Sequence, residues 1–246
     1  MTDASPALAP APESYSQWGE DRLVWEHFGR RPSGTFFEAG ALHPTNLSQT
    51  YLLEKMGWSG VLVEPVPDLA AEFARLRPKS KLFPYALGAP EEAGQELSFV
   101  VPGNDSLAHL RAPGEKLAAG DRLLTVRLTT ISFVLAEAGI EKLDYLSLDL
   151  EGHELSALRG LDFNRWRPAL ILLEDHLHDL RKHRLLKSRG YQLVYRTGSN
   201  NWYVPVGTAC ALSTSAVRLA LFRKLYLSMP FRKLRVGLKR LRGLEP

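Results

Sequence analysis

Cysteine is almost missing from this chain. Cys210 is the only one among 246 residues, so neither an internal disulfide nor a cysteine-rich zinc site can be built. Long apolar runs are missing as well: no stretch approaches the roughly 18 residues that a bilayer span needs. Residues 1–14 lack the basic start and apolar centre of a cleaved leader, and no internal repeat is present. These absences exclude disulfide-stapled, membrane-spanning and solenoid classes, and they predict a protein of a reducing, cytoplasmic setting.

What is present is ordinary globular material, 45% hydrophobic and 24% charged, enough for one large core. The net charge of +4 is unevenly spread. Residues 214–246 hold nine Lys/Arg against one acid, Glu245, which leaves 22 basic and 26 acidic residues for positions 1–213. Basicity belongs to the tail, so a nucleic-acid partner is not expected from the overall charge.

Residues 1–14, rich in Ala and Pro, offer no periodic apolar face and are expected to be a disordered leader. A domain over 15–207 and a basic helical tail over 208–246 follow. Within the domain a lead-in helix ends near Phe28, and apolar runs then alternate with helical stretches. Strands are predicted at 35–41, 60–65, 81–88, 96–101, 123–128, 143–150 and 169–173, and helices at 46–56, from Asp68, at 131–138, 154–161 and 177–189. Tyr191–Arg196 and Trp202–Val206 read as a closing hairpin. This pattern predicts an α/β fold with a mostly parallel sheet, helices on both faces and an antiparallel hairpin at the edge.

In such sheets ligands sit beyond the carboxyl ends of the strands, where strand order reverses. The residues at those ends are Glu38 to Ala41, Glu64, Ala86 to Gly88, Asp149 to Glu151, and Glu174 to His176. Half-buried carboxylates repel one another unless something pairs with them, and a cationic or hydroxyl-rich ligand relieves that cost. Helix capping is the competing use of each acid. Gly40 permits close approach of backbone to a ligand. Glu64, 26 residues after Glu38, stands where an acid accepts both hydroxyls of a ribose, a feature shared by nicotinamide and adenosyl ligands.

The segments Ser16-Gln-Trp-Gly-Glu-Asp21, Phe37-Glu-Ala-Gly-Ala41, Asn46-Leu-Ser-Gln-Thr50, Gly57-Trp-Ser-Gly-Val-Leu-Val-Glu-Pro65 and Leu146-Ser-Leu-Asp-Leu-Glu-Gly-His-Glu154 resemble the FkbM family of S-adenosylmethionine-dependent methyltransferases. The resemblance implies a class I methyltransferase fold, Rossmann-like, that binds S-adenosylmethionine and methylates a hydroxyl, commonly of a sugar or a polyketide-type product. It places Glu38, Gly40 and the adjoining Ala41 by the methionine part, Glu64 on the ribose and Leu87 against the adenine, with Gln17 and Ser48 lining the same cavity and Asp149 beside it. Two positions depart from the family pattern: His43-Pro44 stands where Asp-Gly is frequent, and Gln49 where Asn is usual.

Methyl transfer from a sulfonium is an in-line displacement in which the acceptor oxygen must be held and its proton removed. Asp149, Glu151, His153 and Glu174 are the candidate catalytic residues. The acidic set also resembles the magnesium ligands of related macrolide sugar O-methyltransferases, which implies Asp149, Glu174 and Asp175 around an Mg2+ ion. The polar stretch 102–122 is a candidate lid. Trp58 and Trp202 read as core, and His178 and His183 as solvated helix positions. In the tail, Phe231, Leu234, Leu238 and Leu241 form an apolar stripe among cations, which suits an anionic membrane surface and hence a peripheral place on the inner membrane face; a helix docked on its own domain or in a homodimer is the alternative. The expected acceptor is a saccharide or glycolipid. A non-catalytic protein that binds a glycan or a partner through a degenerate cofactor pocket is the second reading.

Overall fold

The structure is a computed structural model and describes residues 12–103, 108–111, 114–177 and 180–228. Residues 1–11 of the expected leader, 104–107 and 112–113 of the candidate lid, His178, and residues 229–246 of the tail lie outside the described residues. In chain order the elements are α1 (Glu20–His27), β1 (Thr35–Ala39), α2 (Tyr51–Lys55), β2 (Ser59–Val63), α3 (Ala70–Leu76), β3 (Ser80–Phe83), β4 (Ala86–Leu87), β5 (Glu96–Val101), β6 (His109–Leu110), β7 (Arg122–Thr129), α4 (Ile131–Glu137), β8 (Tyr145–Leu148), α5 (Glu154–Arg159), β9 (Leu170–Glu174), α6 (Arg181–Ser188), β10 (Tyr191–Thr197), β11 (Asn200–Pro205) and α7 (Ser215–Phe222), which runs on into a π-helical turn, Arg223–Leu227.

A seven-stranded sheet in the order β10-β11-β9-β8-β1-β2-β3 forms the centre. β3, β2, β1, β8 and β9 are parallel, while β11 runs antiparallel to β9 and closes the hairpin with β10. This is the expected mostly parallel α/β sheet with an antiparallel edge. Alternate residues of each strand go to opposite faces. Phe37, Val61, Leu146 and Ile171 meet Ile131, Leu158 and Leu186 from α4, α5 and α6. Phe36, Leu62, Tyr145 and Leu170 meet Val24, Leu53 and Phe73 from α1, α2 and α3. The strands are apolar on both faces because both are covered. Trp58 and Trp202 lie fully in the second of these cores, in accord with the packing expected of them.

Three expectations are corrected. The strand read over 81–88 is two strands: β3 belongs to the main sheet, and beyond Pro84-Tyr85 the chain enters a second sheet, β4-β7-β5-β6, in which β5 pairs antiparallel with β7. The helix read over 46–56 begins only at Tyr51, because Ser48, Gln49 and Thr50 give their donors to Glu38 instead. The candidate lid is part wall: β6 pairs with β5 within it. Near the N-terminus, Ser14 already belongs to the ordered body, since its hydroxyl donates to Asp21 (2.6 Å).

The chain runs outward from β1 through β2 and β3 and then returns to β8 on the other side of β1. Strand order therefore reverses between β1 and β8, and the ends of these two strands, Gly40 and Asp149, adjoin. Gly40 has φ of +77°, and a Cβ there would overlap the carbonyl oxygen of Asp149, so only glycine fits.

Candidate active site

The crevice at this switch point is lined by Gly40, Glu64, Leu87, Asp149, Glu151 and His153, with Val63 and Tyr85 beside them and Phe99 and Leu110 of the small sheet, with Ala108 just before β6, as an outer apolar wall. Six residues singled out in the sequence thus meet in one cleft. Leu42, Glu151 and Leu177, in the turns that follow β1, β8 and β9, each take a positive φ without being glycine. That backbone costs about 1 kcal/mol or more per residue and persists only where the surroundings impose it.

Glu64 follows β2 directly. Its carboxylate accepts the amides of Leu42 (2.8 Å) and Val66 (2.9 Å), which leaves each oxygen one further lone pair for a ligand hydroxyl. Burial raises its pKa above the usual carboxylate value, and the two amides work against that rise.

Asp149 and Glu174 stand at the ends of neighbouring strands β8 and β9. Burial first, and then the charge and hydrogen bond of Glu174, push the Asp149 carboxyl up to about 8. Glu151 is also raised, by burial and then by the Glu174 and Glu154 charges. His153 faces the crevice with its Nε2 3.7 Å from Glu92 Oε2 and without a hydrogen bond. Glu92 is held in turn by the Ser156 hydroxyl, which lowers its pKa, and it accepts the Ala89 amide (2.8 Å).

Asp175 does not join this group. By strand alternation it faces the other way from Glu174, and the Asp175 carboxylate accepts the Leu177 amide (2.9 Å) and the Asn201 side chain (3.2 Å) and pairs with Lys182 (3.4 Å). Glu154 supplies the third carboxylate instead, with its oxygen, one of Asp149 and one of Glu174 all within 4.8 Å. Glu154 is fully buried and accepts the amides of Leu150 (3.0 Å) and Gly152 (2.9 Å). Lys182 of α6 meets its other oxygen at 3.1 Å, and also the Glu174 carbonyl at 3.0 Å. An ammonium thus already takes the cation's place beside Glu154, and the expected Asp149, Glu174 and Asp175 set does not fit a divalent ion.

The remaining predicted residues lie off the crevice. Glu38 sits one residue inside β1 with its side chain on the α1–α3 face. There it accepts the Ser48 hydroxyl (3.0 Å), the Gln49 amide (2.7 Å) and the Thr50 hydroxyl. Arg77, fully buried, stands 3.9 Å from Glu38 and bonds Glu54 (2.7 Å), Thr50 (2.7 Å) and the Pro44 carbonyl (3.0 Å). Ala41 is in the core. The unusual His43-Pro44 is absorbed by this scaffold, since His43 Nδ1 accepts the amides of Thr45 (3.1 Å) and Asn46 (3.0 Å). Gln17 is exposed. Its neighbour Glu20 is buried and bonds Thr197 (3.0 Å) and Asn200 (2.9 Å), so the Ser16–Asp21 motif fastens the N-terminal segment to the hairpin turn. Sequence reasoning missed Glu92, Lys182 and Arg77. The contacts that bring them to the acids, Ser156 for Glu92, Glu154 for Lys182, and Glu54 and Thr50 for Arg77, lie more than 20 residues away along the chain.

The family model described as "Methyltransferase FkbM domain" matches residues 38–193, well over half of the chain. The chain belongs to the FkbM methyltransferase family. The match covers every crevice residue named above, and with the doubly wound sheet it makes this FkbM protein an S-adenosylmethionine-dependent methyltransferase by family and fold. Two solved structures are similar to it: a TehB-like SAM-dependent methyltransferase from Corynebacterium glutamicum (12% identity, 77% of this chain and 89% of that chain, TM-score 0.39) and a precorrin-6y C5,15-methyltransferase from Geobacter metallireducens (11% identity, 79% and 90%, TM-score 0.40). A comparison with curated protein sequences returns no match. Among the described residues no helix is long and apolar enough to cross a membrane.

The donor set fits the cofactor of this family. Glu64 keeps free acceptor capacity at the end of β2, Val63 and Leu87 give an apolar wall, and Asp149 and Glu151 line the opposite side with the Glu174 charge close to both.

Proposed function

We propose that this FkbM protein methylates a hydroxyl of a saccharide or glycolipid, using the carboxyls at the ends of β8 and β9 to take up the acceptor's proton. S-adenosylmethionine, when bound, supplies the electrophilic methyl group. Glu64 would hold the ribose hydroxyls, Val63 and Leu87 would pack on the adenine, and Gly40 leaves room at the methionine end.

The observation that carries this reading is the Asp149 carboxyl on the crevice wall, raised by burial and by the Glu174 charge beside it. In its ionised fraction, a carboxyl pushed up to about 8 is a stronger base toward an alcohol than an ordinary carboxylate. A proton acceptor suits an alcohol because its oxygen becomes a good nucleophile only as the proton leaves. Glu151 and His153, on the same wall, add acceptors that can orient a second hydroxyl, which favours an acceptor with neighbouring hydroxyls, as a sugar has.

The test is transfer of a radiolabelled methyl group from S-adenosylmethionine to saccharide and glycolipid extracts, followed by alkaline treatment. Label that survives alkali and appears as a methyl ether on a sugar supports the proposal. Label lost as methanol from an ester, or found on nitrogen, overturns it. Calorimetry that shows no binding of S-adenosylmethionine would instead favour the non-catalytic binding protein.

A further inference from the structure

The helix formed by α7 and its π-helical extension has two apolar sides, and the domain uses only one. On the inner side Leu221 and Leu225 are buried, Leu225 against Leu177, Leu180 and Leu193. The Tyr226 hydroxyl reaches His183 Nε2 at 3.3 Å. On the outer side Leu219, Phe222 and Leu227 are 59%, 52% and 56% exposed. A helix anchored this firmly has no need of a second apolar stripe for its own packing, and exposed apolar groups gathered on one element mark an interaction surface.

Charge narrows the choice of partner. Arg218 and Arg223 are exposed beside the outer stripe, and the sequence from 208 to 244 contains no Asp or Glu at all. Apolar residues set among cations without a compensating acid complement a surface that is anionic over apolar, which is the arrangement of a lipid leaflet with acidic headgroups. The residues after 228 continue the same chemistry, with Arg232, Lys233, Arg235, Lys239, Arg240 and Arg242 interspersed with Leu234, Leu238 and Leu241.

The place of the helix is also informative. It borders a hollow lined by Tyr195, Arg196 and Gly198, next to the β10–β11 turn. That turn stands at the crevice end of the sheet, because Asn200 pairs with Glu174 and the Asp175 amide donates to the Ser199 carbonyl (3.0 Å). We propose that the outer face of α7, through Leu219, Phe222 and Leu227 with Arg218 and Arg223, docks on an anionic membrane surface and so holds the crevice rim at the bilayer. This docking does not depend on which group the enzyme methylates.

The experiment is co-sedimentation of the full chain with phosphatidylcholine vesicles, with and without one-third phosphatidylglycerol, for wild type and for the double variant Leu219→Glu/Phe222→Glu. Both positions are exposed, and an unchanged melting temperature establishes that the variant folds. Wild type is expected to bind only the anionic vesicles and to lose them at high salt, with affinity reduced about tenfold or more in the variant. Three results overturn the proposal: no binding by wild type, equal binding by the variant, which would leave the residues after 228 as the sole anchor, and a wild-type dimer that the variant converts to monomer, which would make a second copy the occupant. The last is read by sedimentation velocity.

Discussion

Two groups of acids are placed by the same parallel sheet, and they behave in opposite ways. Glu38 and Glu54 are buried almost completely, yet Arg77 lies among them, and hydroxyls and amides take up their remaining lone pairs. Asp149 and Glu174 are only partly buried and Glu151 is exposed; His176 stands 3.4 Å from Glu174, and the ammonium of Lys182 is engaged with Glu154 and Asp175. The first group is solved within the protein. In the second, burial and then mutual repulsion raise the Asp149 and Glu151 carboxyls. A full set of partners around a buried guanidinium, rather than depth of burial, separates scaffold acids from site acids here.

The comparison is broken most severely by removing the compensating charge. Arg77→Met would leave Glu38 and Glu54 buried without a counter-charge, and should destabilise the fold by about 3–5 kcal/mol, the usual consequence of orphaning a buried charge; urea unfolding measures it. An Arg77→Met protein as stable as wild type would mean that the two carboxylates take up protons at little cost and that the contrast is false.

Asp149→Asn acts on the other group. Turnover should fall by about 100-fold or more, as expected when a general base is lost. Stability should move the other way. The Asp149 carboxyl has a raised pKa in the folded protein, so between the unfolded value near 3.8 and about 8 the folded state holds more protons than the unfolded state, and stability declines with rising pH across that window. Asparagine removes the decline. The variant should gain about 1–3 kcal/mol at pH 8 and almost nothing at pH 3, which paired melts at the two pH values would show. A variant stabilised equally at both would mean that repulsion is not the cause.

The smallest effect is expected at Glu64, where two amides already hold the carboxylate. Glu64→Gln should weaken S-adenosylmethionine about tenfold by calorimetry, since a carboxamide offers one acceptor oxygen in place of two. An unchanged affinity would remove Glu64 from the cofactor site.

Much of this architecture was legible in the residues. The apolar runs of β1, β2, β8 and β9 had to be covered strands, and the rule of strand reversal brought Gly40, Glu64 and Asp149 together before any coordinate did. What stayed hidden depended on direction and distance. Glu38 and Asp175 were read as facing the cleft because they lie near strand ends, yet alternation turns each toward the opposite side from its neighbour. Glu154, the last residue of the Leu146–Glu154 motif, staples the turn after β8 and also completes the acidic group. The split at Pro84 depended on Ala86 pairing with Leu128, far along the chain, which no local periodicity reveals.

The tight seam at Gly40 has a consequence for how such an enzyme can change its substrate over generations. With backbone closing the floor of the cleft, no larger residue is admissible there, whereas Phe99 and Leu110, with Ala108 just before β6, form a wall on a separate, smaller sheet that can be rebuilt without disturbing the strands beneath. Diversification of the acceptor can proceed on that detachable side while the floor stays as it is.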